Sequence, residues 1–275
     1  MADSDDRHPE SRATMRHSAA VEAARILWRN WSEGTRIDSL PPVCRPKDRK
    51  AGYAVQAALA ALSGQVPFGW KIAATSRAGQ EHIGVGRPLA GRLLSGRVLK
   101  SGASASLNSN IMRVAEAEFA FRMARPLPPR GTPYAVDEVM EAVGSLHCAI
   151  EVPDSRFRDF PQAGEAQLIA DNACACWFVL GPEATVDWRP VDLTRHRVLA
   201  RRNGEIVREG KGANVLGDPR VALTWIANEL CSHGQWLKAD EFVTTGTCVV
   251  PLEISSGDHV AADFGNLGCV EARFV

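Results

Sequence analysis

The sequence lacks an excess of charge of either sign: 32 Lys and Arg residues face 32 Asp and Glu residues, for a formal net charge of zero with His neutral. A nucleic-acid-binding surface needs a basic excess or a basic stripe to offset phosphate charge, and neither is present. No apolar run reaches the roughly 18 residues that a membrane-spanning helix requires. The opening residues Met1 to Arg16 are polar and mixed in charge, without the apolar stretch of a signal peptide, and are read as a frayed tail over residues 1–15. The 7 cysteines are odd in number and show no CxxC pair and no Cys/His zinc spacing. Cys174 and Cys176 stand two apart, and others, such as Cys148 within Leu146–Ile150, sit in apolar runs where a free thiol behaves as a small hydrophobe. That usage fits a reducing cytoplasm without disulfides. Internal repeats and low-complexity segments are absent as well. The glycine-rich stretch Gly210–Gly217 lacks the spacing of a phosphate-binding loop and reads as a tight turn before a helix at Pro219.

What is present is enough chain, 275 residues, to bury a core without staples. Ala20, Val21, Ala24, Leu27, Trp28 and Trp31 recur at helical spacing, with Ser18 as the expected N-cap and Gly34 as the stop. A second helix is expected from about Lys47 to Leu62, which makes residues 16–65 an N-terminal helical region. From Phe68 the texture changes to short apolar or alternating runs punctuated by Gly, Pro, Asn and Asp. Trp70–Ala74, Val114–Arg122, Cys174–Leu180, Arg197–Arg202, Phe242–Thr245, His259–Phe264 and Cys269–Phe274 read as strands. Asn203-Gly204 between two such runs signals a type I′ hairpin. Helical stretches are expected over Ala135–Leu146 and Pro219–Gly234. With few βαβ alternations, residues 66–275 are expected to form an α+β, mainly β, roll or sandwich with peripheral helices.

Three segments could carry chemistry. In Arg113-Val-Ala-Glu116-Ala-Glu118-Phe-Ala-Phe121, strand alternation places Glu116 and Glu118 on one face, close enough to share one hard cation through oxygen ligands. The competing reading is a solvated sheet face, where alternating Glu is ordinary. Glu151 lies inside the apolar run Cys148-Ala-Ile-Glu151-Val-Pro-Asp154-Ser-Arg156, where a carboxylate is costly unless it binds a metal or pairs with a base such as Arg156. Lys71, in Gly69-Trp-Lys71-Ile-Ala-Ala, is either a buried acid/base or charge stabiliser, or a lysine that snorkels to the surface.

These segments, in this order, resemble the fumarylacetoacetate hydrolase superfamily, and within it the 2-keto-4-pentenoate hydratase and 4-oxalocrotonate decarboxylase branch. The resemblance spans nearly the whole chain and includes Ala170-Asp171-Asn172-Ala173, Gly210-Lys-Gly212 through Pro219, Thr245-Gly246-Thr247, Gly257-Asp258 and Phe264-Gly-Asn-Leu267-Gly268. It implies a mixed β-sandwich roll and a Mg²⁺ or Mn²⁺ ion held by Glu116, Glu118 and Glu151. It implies a small 2-keto acid bound through its carboxylate and keto oxygens, with Lys71 near the keto or enol group and Gly246 and Thr247 at the substrate carboxylate. Polarisation of the keto group by the cation and stabilisation of the enolate would then serve hydration, decarboxylation or C–C cleavage. Asp171 and Asn172 are expected to order the loop around the metal. Homo-oligomers, and in some pathways a partner enzyme, go with the resemblance.

One position departs. The branch carries an acid in a stretch like G-V-x-x-P-D-[FY]-G; here Gly84-Val-Gly-Arg-Pro88-Leu89-Ala90-Gly91 has Leu89 in the acid position. The loss removes a group expected to move protons. Glu81 and His82 are the candidates to replace it, against the plainer reading of surface polar residues on a short helix. The sequence therefore leaves open a hydratase- or decarboxylase-like lyase, a C–C hydrolase or keto–enol tautomerase, and a weakly active accessory subunit.

Overall fold

The computed structural model describes residues 9–275, and side chains from His17 onward. The expected tail over residues 1–15 lies outside the described residues up to residue 8 and is corrected beyond it, where residues 9–15 are helical. The first helix, α1, runs Pro9–Glu33. The N-cap expected at Ser18 is thus corrected to an interior helical position, while the chain does turn at Gly34, with φ 68°. The second helix, α2 (Arg49–Leu62), starts where the Asp48 carboxylate accepts the Ala51 amide at 2.8 Å. Ala23, Ala24 and Leu27 of α1 pack on Val55 and Leu59 of α2, with Phe157 and Ala170 completing a satellite core.

Two sheets follow. Strands β1 (Pro67–Ala73), β2 (Leu89–Leu94), β3 (Val98–Lys100), β4 (Ser104–Ala105), β5 (Val114–Met123), β6 (Val143–Val152), β7 (Trp177–Glu183), β8 (Arg197–Arg202), β9 (Glu205–Lys211), β10 (Phe242–Thr247), β11 (Leu252–Glu253), β12 (His259–Asp263) and β13 (Cys269–Phe274) are interleaved with short helices α3 (Arg77–His82), α4 (Val136–Glu141), α5 (Glu165–Ala170) and the longer α6 (Pro219–Ser232). The larger sheet has the order β2-β1-β10-β5-β6-β7-β3, with β11 also paired to β5; the smaller has the order β4-β13-β12-β8-β9. Parallel and antiparallel pairs mix in both. The expected α+β roll with packed sheets is the observed architecture.

The sheets meet face to face. Ala115, Ala117, Phe119 and Phe121 of β5 join Val260 and Ala262 of β12 and Val270 and Ala272 of β13 in one core. Contact is close enough that a Cβ at Gly181 would lie 2.7 Å from the Cys148 carbonyl oxygen and 3.0 Å from Val270 Cβ. The hairpin at Asn203-Gly204 joins β8 to β9 with both residues at positive φ, as a type I′ turn requires.

The helix expected over Ala135–Leu146 is corrected: only Val136–Glu141 is helical, and the chain enters β6 at Val143. A strand buried on both faces is an almost continuous apolar run, so it carries no alternation to distinguish it from a buried helix. His147, the residue after that stretch, sits mid-strand, its ring nitrogens against Ser145 Oγ at 3.0 Å and the Gly181 carbonyl at 3.1 Å.

Candidate metal centre

The site is built on four adjacent strands. Alternation along β5 sends the apolar residues into the inter-sheet core and Glu116 and Glu118 to the other face. Antiparallel pairing with β6 sets Glu151 directly opposite Glu116, and pairing with β10 sets Thr247 opposite Glu118. One oxygen from each of Glu116, Glu118 and Glu151 lies within 4.8 Å of the others. On β1, Lys71 is 2% exposed and its Nζ is 3.1 Å from Glu151 Oε2. In a flat sheet β1 and β6, three strand spacings apart, would be separated by about 14 Å. The ion pair therefore reports a curled sheet with this face concave.

The β10 register shifts between Thr244 and Thr247, and Gly246 takes φ 101° there. A Cβ at Gly246 would sit 2.1 Å from Thr75 Oγ1, so only glycine fits. The irregularity turns the Gly246 N–H (2.8 Å) and the Thr244 hydroxyl onto Glu118 Oε2, fixing that carboxylate. Lys71 is fixed from the other side, donating to the Ala173 carbonyl at 3.1 Å. Ala173 belongs to three successive residues in left-handed backbone, Asn172 (φ 59°), Ala173 (φ 49°) and Cys174 (φ 60°). Non-glycine residues hold this conformation only when surroundings impose it. The Asn172 amide brackets Arg92, accepting its N–H and donating to its carbonyl, each at 2.7 Å. Asp171 accepts from the Arg156 guanidinium and from Ser155 Oγ (2.7 Å), all fully buried.

The electrostatics are unbalanced. Three carboxylates share one ammonium, and Glu118 Oε1 and both Glu151 oxygens are buried without a hydrogen bond among the described residues. Lys71 and Glu151 are in charge contact without hydrogen-bond alignment. Burial raises the carboxyl pKa values of all three acids: Glu151 is pushed up to about 8, with Lys71 opposing and Glu116 reinforcing the shift, and Glu116 and Glu118 also move upward. Burial alone would lower the Lys71 pKa, but Glu151, Glu116 and Glu118 outweigh it and the net shift is upward. Converging, under-satisfied carboxylate oxygens are the donor set a hard divalent cation takes, so the residues present fit such an ion.

The other sequence candidates fall in different places. Asp171 and Asn172 lie behind Lys71, holding the turn that fixes it. Gly246 spends its N–H on Glu118, and the half-buried Thr247 hydroxyl donates to the Val249 carbonyl at 2.7 Å. Glu81 and His82 are exposed on α3. Glu81 pairs with Arg77 at 2.8 Å, and the His82 ring lies edge-on to Phe160 at 5.8 Å, so neither joins the buried carboxylates. Leu89 is fully buried in β2 opposite Ala73. Thr244 and the Ala173 carbonyl are components that the sequence reading missed. The run Thr244-Thr245-Gly246 inside an apolar strand was a signal for the first; a backbone carbonyl leaves none.

A buried excess of negative charge on the concave face of a curled mixed sheet marks a β-roll scaffold for a cation-dependent reaction, and comparison with known proteins narrows the class. The family model described as fumarylacetoacetate (FAA) hydrolase C-terminal matches residues 102–275. The chain belongs to that family. A 2-keto-4-pentenoate hydratase of Burkholderia vietnamiensis is 33% identical over 94% of this chain and 98% of its own. A 4-oxalocrotonate decarboxylase of Pseudomonas putida is 31% identical over 75% of this chain and 77% of its own. Among solved structures, 4-oxalocrotonate decarboxylase from Pseudomonas putida G7, complexed with magnesium and adipate, superposes with a TM-score of 0.84 at 26% identity, covering 93% of this chain and 97% of that one.

Proposed function

We propose that this chain is a divalent-metal-dependent lyase, hydratase- or decarboxylase-like, acting on a small 2-keto acid or 2-hydroxy-2,4-dienoic acid. The observation that supports it best is the convergence of half-buried Glu116 with buried Glu118 and Glu151, the latter two with unsatisfied oxygens, opposite Lys71. The hydratases and decarboxylases among its relatives supply the reaction class. In this reading the three glutamates hold Mg²⁺ or Mn²⁺. When bound, the cation supplies the charge that polarises the keto group and favours its enolate. Lys71 stays protonated, since its carboxylate neighbours raise its pKa, and it serves as a fixed positive donor beside the enol oxygen, not as a base. Thr247 contacts the substrate carboxylate once its hydroxyl turns from the Val249 carbonyl, Gly246 borders that carboxylate while its N–H holds Glu118, and Asp171 and Asn172 keep the turn that aims Lys71. The enzyme works in the cytoplasm as a homo-oligomer.

A second reading, a C–C hydrolase or keto–enol tautomerase, is favoured by one observation: Leu89 leaves no carboxyl group at the branch's acid position. Glu81 or His82 would then move the proton, with α3 closing toward the site. Loss of turnover in His82→Ala with oxalate binding intact supports this second reading; unchanged turnover removes it. An accessory subunit that stabilises a partner enzyme predicts slow turnover by the isolated chain, and fast turnover excludes it.

The primary test is calorimetric titration of oxalate, a mimic of the enolised keto acid, into metal-stripped protein with and without Mg²⁺ or Mn²⁺. Binding is expected only with metal and is expected to vanish in Glu118→Ala. Binding that ignores the metal, or no binding at all, overturns the proposal.

A further inference from the structure

The turn behind Lys71 is held at both ends by one buried side chain. The Asp171 and Ala175 carbonyls both accept from the Arg156 guanidinium, the second at 3.0 Å from Nη1. Between them, the Asn172 carbonyl takes the Ala175 amide at 3.0 Å and the Cys174 carbonyl takes the Asp154 amide at 2.8 Å. Four carbonyls in a row of five thus hold the turn together, and the fifth, Ala173, takes Lys71 Nζ. Left-handed backbone at three successive non-glycine residues does not persist unaided. Arg156 spans that segment and closes it at either end. Its guanidinium is fully buried, and its Nε donates to the Asp171 carboxylate. A Cβ at Gly91, the β2 partner of Lys71, would lie 2.3 Å from the Asn172 carbonyl oxygen, so the turn has no room to settle toward the sheet.

Arg156 is held in turn by the N-terminal helical region. The centre of the Trp31 ring, on α1, lies 4.3 Å from the guanidinium carbon and covers one face of the group. The Arg156 carbonyl accepts the Ile37 amide at 3.0 Å, and the Arg158 amide returns to the Ile37 carbonyl at 2.9 Å, so the chain after α1 is laced to the arginine's own backbone. Trp31, Ile37 and Lys71 all precede the matched stretch 102–275. On the reading of Lys71 as the donor beside the enol oxygen, we infer that Arg156 is a positioning residue for Lys71, and that α1 belongs to the catalytic apparatus through Trp31. Among the described residues, Arg156 bonds to none of the three metal-site carboxylates. It acts by fixing the Ala173 carbonyl, which sets where the ammonium sits. Its charge is also felt at Glu151, so a test of geometry has to keep that charge.

The test measures two affinities on the full chain: Mn²⁺ alone, and oxalate with Mn²⁺ bound. Arg156→Lys keeps the charge and removes the planar fork that reaches both carbonyls. It is expected to weaken oxalate binding about tenfold, the scale of one charged hydrogen bond, with Mn²⁺ affinity unchanged. In a Lys71→Met background the same change is expected to cost nothing further, because the ammonium it aims is gone. Trp31→Leu leaves the hydrogen-bonding groups around Arg156 in place and is expected to give the same pattern with a smaller loss, about threefold. It carries the test should Arg156→Lys fail to fold. An equal loss of Mn²⁺ and oxalate affinity, or the same oxalate loss with and without Lys71, overturns the positioning role. Should the parent protein bind no oxalate, the 2-keto-acid reading falls separately, and metal-free crystal structures decide the clamp. A displaced Ala173 carbonyl and Lys71 in Trp31→Leu support it; an unmoved pair overturns it.

Discussion

Two buried ionic clusters in this molecule use similar groups to opposite ends. In one, Arg49 of α2 donates to Glu229 of α6 (2.6 Å), to Glu165 of α5 (2.6 Å) and to the Pro88 carbonyl (2.9 Å), while the Tyr53 hydroxyl gives Glu229 a further bond at 3.1 Å. Arg49, the Tyr53 hydroxyl and Glu229 Oε1 are joined by these bonds, no buried side-chain oxygen or nitrogen of the cluster is left without a partner, and the cluster ties three helices to the chain just before β2. In the other, Glu116, Glu118 and Glu151 face Lys71 alone, and three of their oxygens have no hydrogen bond. Burial of charge is common to both, so burial does not mark function. The uncompensated remainder does, because folding tolerates it only where something bound restores the balance.

The largest effect should come from breaking the balanced cluster. Arg49→Ala strands Glu229 in the interior, and the expected loss is about 3–5 kcal/mol of unfolding free energy, as for other buried pairs deprived of one partner. Denaturant unfolding measures it. Metal-dependent oxalate binding below the new melting range should be retained, since Arg49 touches none of the site residues. A loss under about 1 kcal/mol would place this cluster with surface ion pairs and remove the contrast.

The unbalanced cluster was the more legible of the two in the sequence. Glu116 and Glu118 could be set on one face from alternation alone, because β5 has a core on one side and a site on the other. Glu151 stood out as a carboxylate inside an apolar run, although the strand holding it did not: β6 is buried on both faces and its first half was taken for helix. Arg49 and Glu229 lie 180 residues apart and are each an ordinary polar position on an amphipathic helix, so nothing local could join them. Leu89 was legible only against the pattern of a family, and its burial in β2 agrees with the absence of a charge there. The left-handed turn at Asn172–Cys174 is imposed by Arg92, Gly91 and the Asp171–Arg156 pair, and no residue in it is a glycine that would have announced it.

The pH response sharpens the contrast further. The Glu151 pKa in the folded, metal-free protein is about 8 against an ordinary 4.5, so between those values the folded state keeps a proton that the unfolded state has released. The unfolded chain binds fewer protons in that window, and stability therefore falls as pH rises through it, by at most about 1.4 kcal/mol per pH unit for each proton. A cation must displace that proton, so metal affinity should rise up to about tenfold per pH unit over the same window and level off above it. Melting curves with and without Mg²⁺ from pH 5 to pH 8.5 should diverge: the metal-free midpoint falls and the metal-induced gain grows. Parallel curves would mean that the carboxylates are already ionised and balanced.

The smallest effect is the most discriminating, because its sign is reversed from that of Arg49→Ala. Glu116→Gln removes one of the three like charges and keeps a hydrogen-bonding side chain of the same length beside Glu118 and Glu151. Relief of repulsion among buried carboxylates should raise the metal-free stability by about 1 kcal/mol near pH 8, where the group would otherwise be most ionised. Toward pH 5, below the raised Glu151 pKa, fewer like charges remain and the gain should shrink. The same substitution should abolish metal-dependent oxalate binding, so that stability and binding move in opposite directions in one variant. A fall in metal-free stability at pH 8 would show Glu116 to be a compensated structural carboxylate like Glu229, and the electrostatic deficit that singles out this site would then lie in Glu118 and Glu151 alone.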